Sequence, residues 1–215
     1  MSAPQTRPGH AVCRTTAQAD IGVLSGVIAA AFGGLAVSGW LISGPDERRA
    51  RFPGYFGLHV ETAIKHGIVY TTPGRDAVAL WHESTGPGVP PGSYRGQLAA
   101  VTGPWLDRFL AFDRELDAHH PAGILHHHLA ILAVRPDRQG QGTGTALLDA
   151  HHAQLDTAQL PAYLEASGQD TRRIYLGRGY ADTGTPIQLP GGPVMYPLWR
   201  PPQTRDGARQ ARCHG

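Results

Sequence analysis

Apolar residues recur along this chain at two periods, and the periods mark out its elements. Ile21, Leu24, Ile28, Ala31 and Phe32 return at helical spacing, which predicts a first helix to Phe32 with Thr16 or Asp20 as its cap. Ala11 to Thr16 before it reads as a short strand. From Ile21 to Ser43 no residue is charged, a length that can span a bilayer. Yet Gly33-Gly34 divides this stretch, so it reads as a buried helix, a loop and a second helix start. Pro45 to Phe52 places Pro45 and its acids first and its arginines last, as a helix dipole prefers, and His59 to His66 predicts a further helix. Gly67 to Thr72 and Ala77 to Glu83 are β-rich runs around a Pro73-Gly74-Arg75-Asp76 turn, hence a hairpin. Ser84 to Ser93 is a Gly/Pro-rich loop. Trp105 to His119 carries Trp105, Leu106, Phe109, Leu110, Phe112 and Leu116 on one helical face.

The most apolar run, Leu129 to Val134, reads as a buried strand that Pro136 stops. Gly140, Gly142 and Gly144 follow, and then a helix to about Ala158. Pro161 to Ala166 is a strand, Ser167-Gly168 a turn, and Asp170 to Leu176 a short helix ended by Gly177 and Gly179. A strand opens at Gly179-Tyr180, Pro186 to Pro193 is a loop, and Val194 to Trp199 is the last strand. Helices and strands thus alternate in one domain over residues 11–200. Residues 1–10 read as a flexible N-terminus and residues 201–215 as a disordered tail.

Composition narrows the function classes. A chain of 215 residues is long enough for a proper core. Its net charge of +2, with no lysine/arginine stripe, does not argue for nucleic acid. The two cysteines, Cys13 and Cys213, are expected to be reduced and non-catalytic, which agrees with a cytoplasmic setting. No basic leader precedes the apolar stretch, and no membrane association is expected.

The chemistry concentrates after Val134. A strand, a glycine-rich turn and a helix start leave backbone N–H groups unpaired at a helix N-terminus, which carries about half a positive charge and suits phosphate. The P-loop pattern is excluded because no lysine follows the glycines, and the dinucleotide pattern because its third glycine comes one residue early. What the chain offers is Val134-x-Pro136, Arg138 and then Gln139-x-x-Gly142-x-Gly144. Downstream stands Leu164-Glu165-Ala166-Ser167, followed by Tyr175 and Gly179-Tyr180.

These two motifs, in this order, resemble the GNAT superfamily of N-acetyltransferases, and the layout is closest to the branch containing puromycin N-acetyltransferase. The resemblance implies a mixed, mostly antiparallel α/β sheet, splayed at its central strands, with helices on both faces. It implies that the pantetheine arm of acetyl-CoA, or of another acyl-CoA, lies along Leu132, Ala133 and Val134. The pyrophosphate would meet the amides of Gln139, Gly140, Gln141, Gly142, Thr143, Gly144 and Thr145, with Arg138 either adding charge or simply solvated. Thr171 stands where the family often has an asparagine that contacts the cofactor, which puts that contact in doubt. By position Tyr175 matches the family's donor to the departing sulfur, or else packs its ring. Glu165, a lone carboxylate in an apolar strand, is the first candidate for the base, with burial expected to raise its pKa, or else it forms a salt bridge. The acceptor implied is a primary amine of a small molecule, such as an antibiotic or a natural-product intermediate. An acyl-carrier protein bears the same pantetheine arm and is an alternative donor. A monomer or a homodimer is equally compatible.

Two rivals stay open: a non-catalytic acyl-CoA-binding module, and a nucleotide-binding protein with a generic phosphate turn. The histidines add candidates. His126-His127-His128 precedes the apolar run, and in a strand only His126 and His128 share a side. Zinc wants three or four ligands, so no metal is expected. His128, His82, Trp81 and Tyr55 are candidates to line an acceptor pocket, although such aromatics are commonly core.

Overall fold

The computed structural model describes residues 11–88 and 92–203. The expectations for residues 1–10, for residues 204–215 and for Cys213 lie outside the described residues. The first strand is β1 (Cys13–Thr15), and α1 (Ile21–Phe32) follows over the predicted span. Asp20 occupies the N-cap position of α1 but makes no cap bond there. Its carboxylate instead accepts from Thr15 Oγ1 at 2.6 Å and from Arg75 Nε at 3.0 Å, tying the chain start to the hairpin turn. Gly33-Gly34 separates α1 from α2 (Ala36–Leu41), as expected. No helix among the described residues is long and apolar enough to cross a membrane.

Where two helices were expected, one runs unbroken: α3 (Pro45–His66), with Pro53 inside it. A mid-helix proline costs about 3 kcal/mol. Here Phe52, Tyr55, Phe56, Val60 and Ala63 lie on both sides of Pro53 and are all buried in one core cluster, which holds the two halves in line. The hairpin is β2 (Ile68–Thr71) and β3 (Ala77–Ser84). The helix α4 (Tyr94–Thr102) is not predicted, because its short sequence holds Gly96 and starts polar. After it come α5 (Leu106–His119), β4 (His126–Val134), α6 (Thr143–Ala158), β5 (Ala162–Ala166) and α7 (Gln169–Leu176). The last elements are β6 (Ala181–Asp182), β7 (Ile187–Gln188), which lies inside the expected Pro186–Pro193 loop, and β8 (Val194–Arg200).

The strands join in the order β1-β2-β3-β4-β5-β8-β6, with β7 also pairing with β8. Every pairing is antiparallel except β4 with β5. One core packs α1, α2, α3 and α5 against Val78, Leu80, Ile131 and Ala133. The other packs α6 and α7 against Ala79, Trp81, Leu129 and Leu164. This is the mixed sheet with helices on both faces that the resemblance implied.

Two irregularities in β4 position the site. Opposite Leu80 and Trp81 the register skips from Ile131 to Leu129, so Ala130 is an extra residue, a β-bulge. Side chains alternate faces, so one extra residue swaps them. His127 and Leu129 therefore face α6, while beyond the bulge Leu132 and Val134 take that face and Ile131 and Ala133 face α3. In addition, β4 pairs with β5 only at His127↔Ala162 and His128↔Tyr163. From Leu129 onward, the β4 edge that faced β5 has no strand partner among the described residues, and the sheet is open there.

Candidate active site

The glycine-rich turn forms as the sequence predicts. Pro136 stops β4, and Gly140 and Gly142 take φ values of 74° and 91°, a left-handed region that favours glycine. Gly142 is the N-cap of α6 and offers no side chain to it. The first intrahelical bond runs from Ala146 N–H to Gly142 O at 3.0 Å. The N–H groups of Thr143, Gly144 and Thr145 precede that first bond, as at any helix N-terminus, an end whose dipole suits an anion. A Cβ on Gly144 would lie 3.3 Å from Val134 Cγ2, which seats the helix start close against the open edge of β4. The Gln139 side chain donates to Val134 O at 3.0 Å and ties the loop to the strand end. Arg138 is exposed and, with Gln141 and Thr143, lines a cavity of about 260 Å³ that also borders the β2–β3 turn.

A second cation, not anticipated from sequence, lies beside the loop. Arg178 donates to Thr145 Oγ1 at 2.8 Å and to Asp149 at 3.2 Å. It sits downstream of α7, and only the tertiary fold brings it to the first turn of α6. Thr171 spends its hydroxyl proton on Gly168 O at 2.9 Å, so it keeps only lone pairs for any ligand.

Tyr175 packs among the α6-side residues, together with Leu132 and Val134. Its ring stands edge-on to Tyr180 at 5.7 Å, and its hydroxyl has no hydrogen-bond partner among the described residues. Burial pushes this phenol well above its usual pKa. Full proton transfer to a thiolate would therefore cost more than the roughly 2 kcal/mol that unperturbed groups imply, unless burial raises the thiol with it.

At the apex, where β4 and β5 still pair, titratable groups crowd on the α3/α5 side. His128 Nε2–H donates to Glu165 Oε2 at 2.8 Å, and the Glu165 side chain is only 6% exposed. His120, just past α5, places Nδ1 3.9 Å from Glu165 Oε1. His120 Nε2 lies 3.1 Å from His126 Nε2 and 3.1 Å from Ser84 Oγ. His82 is the cross-strand partner of His128.

The sequence expectation for Glu165 needs correction. Burial does raise its pKa, but the charge and hydrogen bond of His128, with His120 behind them, outweigh it, and the carboxyl is held below its ordinary range. Glu165 is an ionised partner of His128, not a free base with a raised pKa. The neighbouring rings are held neutral. Burial, with His128 next, depresses both His82 and His120 to about 4, and burial alone takes His59 to about 4. His128 Nδ1 has no partner among the described residues.

Two pocket candidates are placed differently from expectation. Trp81 is 0% exposed and faces α6, its ring 4.3 Å from that of His151. It follows Leu80 and precedes His82 in β3, so strand alternation turns it away from the histidine cluster, and it is a core residue. Tyr55 is 4% exposed, its ring 4.6 Å from Phe109 and 4.8 Å from His59. It is a wall of the cluster's floor and not an open surface. The structure adds acids on the same side. Asp113 of α5 accepts from Tyr94 of α4 at 2.8 Å, and burial raises its pKa to about 6. Burial and the charge of Glu165 raise Asp117.

No family model matches the chain. Solved structures do resemble it. The histone acetyltransferase HPA2 and related acetyltransferase from Corynebacterium glutamicum aligns with a TM-score of 0.69 at 23% identity, covering 92% of this chain and 98% of that one. Arylalkylamine N-acetyltransferase 2 from Aedes aegypti aligns with a TM-score of 0.61 at 10% identity, over 89% and 99%. The PaiA N-acetyltransferase from Thermoplasma acidophilum, in complex with coenzyme A, aligns with a TM-score of 0.52 at 9% identity, over 89% and 99%. The chain has the fold of the GNAT N-acetyltransferases.

Proposed function

We propose that this chain is an acyl-CoA-dependent N-acyltransferase that moves an acetyl or related acyl group to a primary amine of a small molecule. The observation that carries the reading is the opening of the sheet beyond His128 and Tyr163, with an unpaired helix N-terminus at its mouth and a His–Glu pair at its apex. The thioester enters along the free edge of β4. Its diphosphate takes the amides of Thr143, Gly144 and Thr145, with Arg138 and Arg178 nearby. One solved structure with this fold, from Thermoplasma acidophilum, is a coenzyme A complex.

The acceptor approaches from the α3/α5 side. Asp117 and Glu165 there favour a cationic amine. An alkyl ammonium with pKa near 10 is only about one part in a thousand neutral at pH 7, so the site must take a proton. His128 Nδ1 does this, while Glu165 holds the ring through Nε2–H and stabilises the imidazolium that forms. Glu165 is thus a positioning residue. Once His128 has taken one proton from the ammonium and passed it to solvent, the neutral amine nitrogen bonds to the acyl carbon and its second proton passes to His128. The carbon–sulfur bond then breaks, and the thiolate accepts a hydrogen bond or a proton from the Tyr175 hydroxyl.

A thiol-release assay with acetyl-CoA against a panel of primary amines, with products read by mass spectrometry, tests the reading. Free thiol and an acylated amine are expected in equal amounts. In the same assay Tyr175→Phe should lower turnover by roughly tenfold or more while acyl-CoA binding persists. Unchanged turnover would remove Tyr175 from the chemistry.

A further inference from the structure

The Glu165 Oε1 atom is the clue. It belongs to a buried carboxylate and has no close hydrogen-bond partner among the described residues; the nearby Tyr163 hydroxyl, which helps to hold this carboxyl low, also reaches His119 O at 3.4 Å. Buried charged oxygens are almost always satisfied. The hydrogen bonds around it fix what faces it. Ile124 O can only accept, so His126 Nδ1, 2.8 Å away, carries the proton. Nε2 of a neutral His126 is then an acceptor. Ser84 Oγ is an acceptor on this side as well, since its own proton goes to Gly86 O at 2.7 Å. Both lie 3.1 Å from His120 Nε2, which must therefore be the N–H end of that ring. His120 Nδ1 is left as a bare lone pair, and it points at Glu165 Oε1 across 3.9 Å. Two electron-rich atoms face each other across a gap that suits a cation.

We infer that His120 Nδ1, His128 Nε2 and a Glu165 carboxylate oxygen form a binding site for a borderline transition-metal ion such as Zn²⁺, whose binding occupies Nε2 and so leaves the ring proton on Nδ1. Ligand atoms of the three residues all lie within 4.8 Å of one another, a span that small side-chain shifts close to Zn–N and Zn–O distances of about 2.0–2.2 Å. Three protein ligands leave one tetrahedral position open. The outer contacts are already those of a metal site: His120 donates its far N–H to His126 and Ser84, which fixes tautomer and ring orientation. Alternation along β4 hides this set, since its ligands come from three places: the end of α5, β4 and β5.

The consequence for catalysis rests on the transferase reading, whereas the binding itself does not. A metal on His128 Nε2 forces the ring proton onto Nδ1, the atom that must be free to accept the amine proton. Zn²⁺ should therefore inhibit turnover reversibly, and a chelator should restore it.

Binding is tested on the full chain after chelator treatment, without acyl-CoA. Titration with Co²⁺ should give one equivalent with the visible absorption of a four-coordinate ion, displaced by Zn²⁺. His120→Asn and Glu165→Gln should each weaken the affinity at least tenfold, whereas His119→Gln should not. Zinc X-ray absorption on the unmodified protein should find two imidazoles and one carboxylate, a readout that stands even where a variant fails to fold. Absence of stoichiometric binding, equal affinity in both variants, or a shell with no imidazole would overturn the site. Stoichiometric binding without any acyl transfer would leave the site standing and overturn only the transferase reading.

Discussion

His128→Ala should lower kcat/KM for the amine by about 100- to 1,000-fold at pH 7, within the usual range for a general base. The acyl-CoA dissociation constant should hardly move, because His128 lies at the apex on the α3/α5 side, whereas the glycine-rich loop lies past the far end of β4. The pH profile separates a base from a structural residue. Without His128 the enzyme depends on amine that is already neutral, so its rate should climb about tenfold per pH unit between pH 7 and 9. The unmodified enzyme should show a shallower dependence, because His128 takes the proton from the bound ammonium. Steady-state kinetics over that range check the claim. A loss under threefold, or profiles of the same shape, would show that the ring only packs.

Acidification should unfold the protein early, through histidines remote from that chemistry. His151 and His152 of α6 are 1% and 5% exposed. His151 lies between His127 at 3.0 Å and Tyr70 at 3.4 Å, and His152 meets Tyr180 at 2.9 Å. Burial depresses both to about 3, helped by His127 for His151 and by Arg200 for His152. Unfolded histidine takes its proton near pH 6.5 and these folded ones only near 3. The stability they contribute is thus complete above about 6.5 and is lost as the pH falls toward 3. Each loses about 1.4 kcal/mol per pH unit, so the pair loses roughly 4 kcal/mol at pH 5. That is a large part of a typical 5–15 kcal/mol. The Tm should fall by about 8–16 °C between pH 7 and pH 5. Thermal melts at the two values check this, and a change under two or three degrees would mean these rings are hydrated or already charged.

What the sequence made legible was the local part. The first helix, the Gly33-Gly34 break, the hairpin, the stop at Pro136 and the glycine turn are each specified by a few neighbouring residues. What it hid depends on contacts between elements. Pro53 looks like a helix end, and only the buried face of Phe52, Tyr55, Phe56 and Val60 keeps α3 whole. The Ala130 bulge has no residue signature, and strict alternation would place Leu129 and Ile131 on one face. His120 and Arg178 look like surface residues in the sequence. One becomes a partner of Glu165 and the other of Thr145 only when α5 and α7 dock. Glu165 stands out in the sequence as a lone carboxylate in an apolar strand, but its ionisation depends on His128 and His120, which local sequence cannot reveal.

The amides after Pro136 carry the central claim that a diphosphate is bound there, and calorimetric titration with coenzyme A tests it most directly. The protein should bind one equivalent of coenzyme A and bind ATP much more weakly. Gly142→Val should weaken coenzyme A at least tenfold, because a β-branched residue cannot comfortably take φ of 91° at that cap. Tight ATP binding with no coenzyme A binding, or full affinity in Gly142→Val, would contradict the assignment.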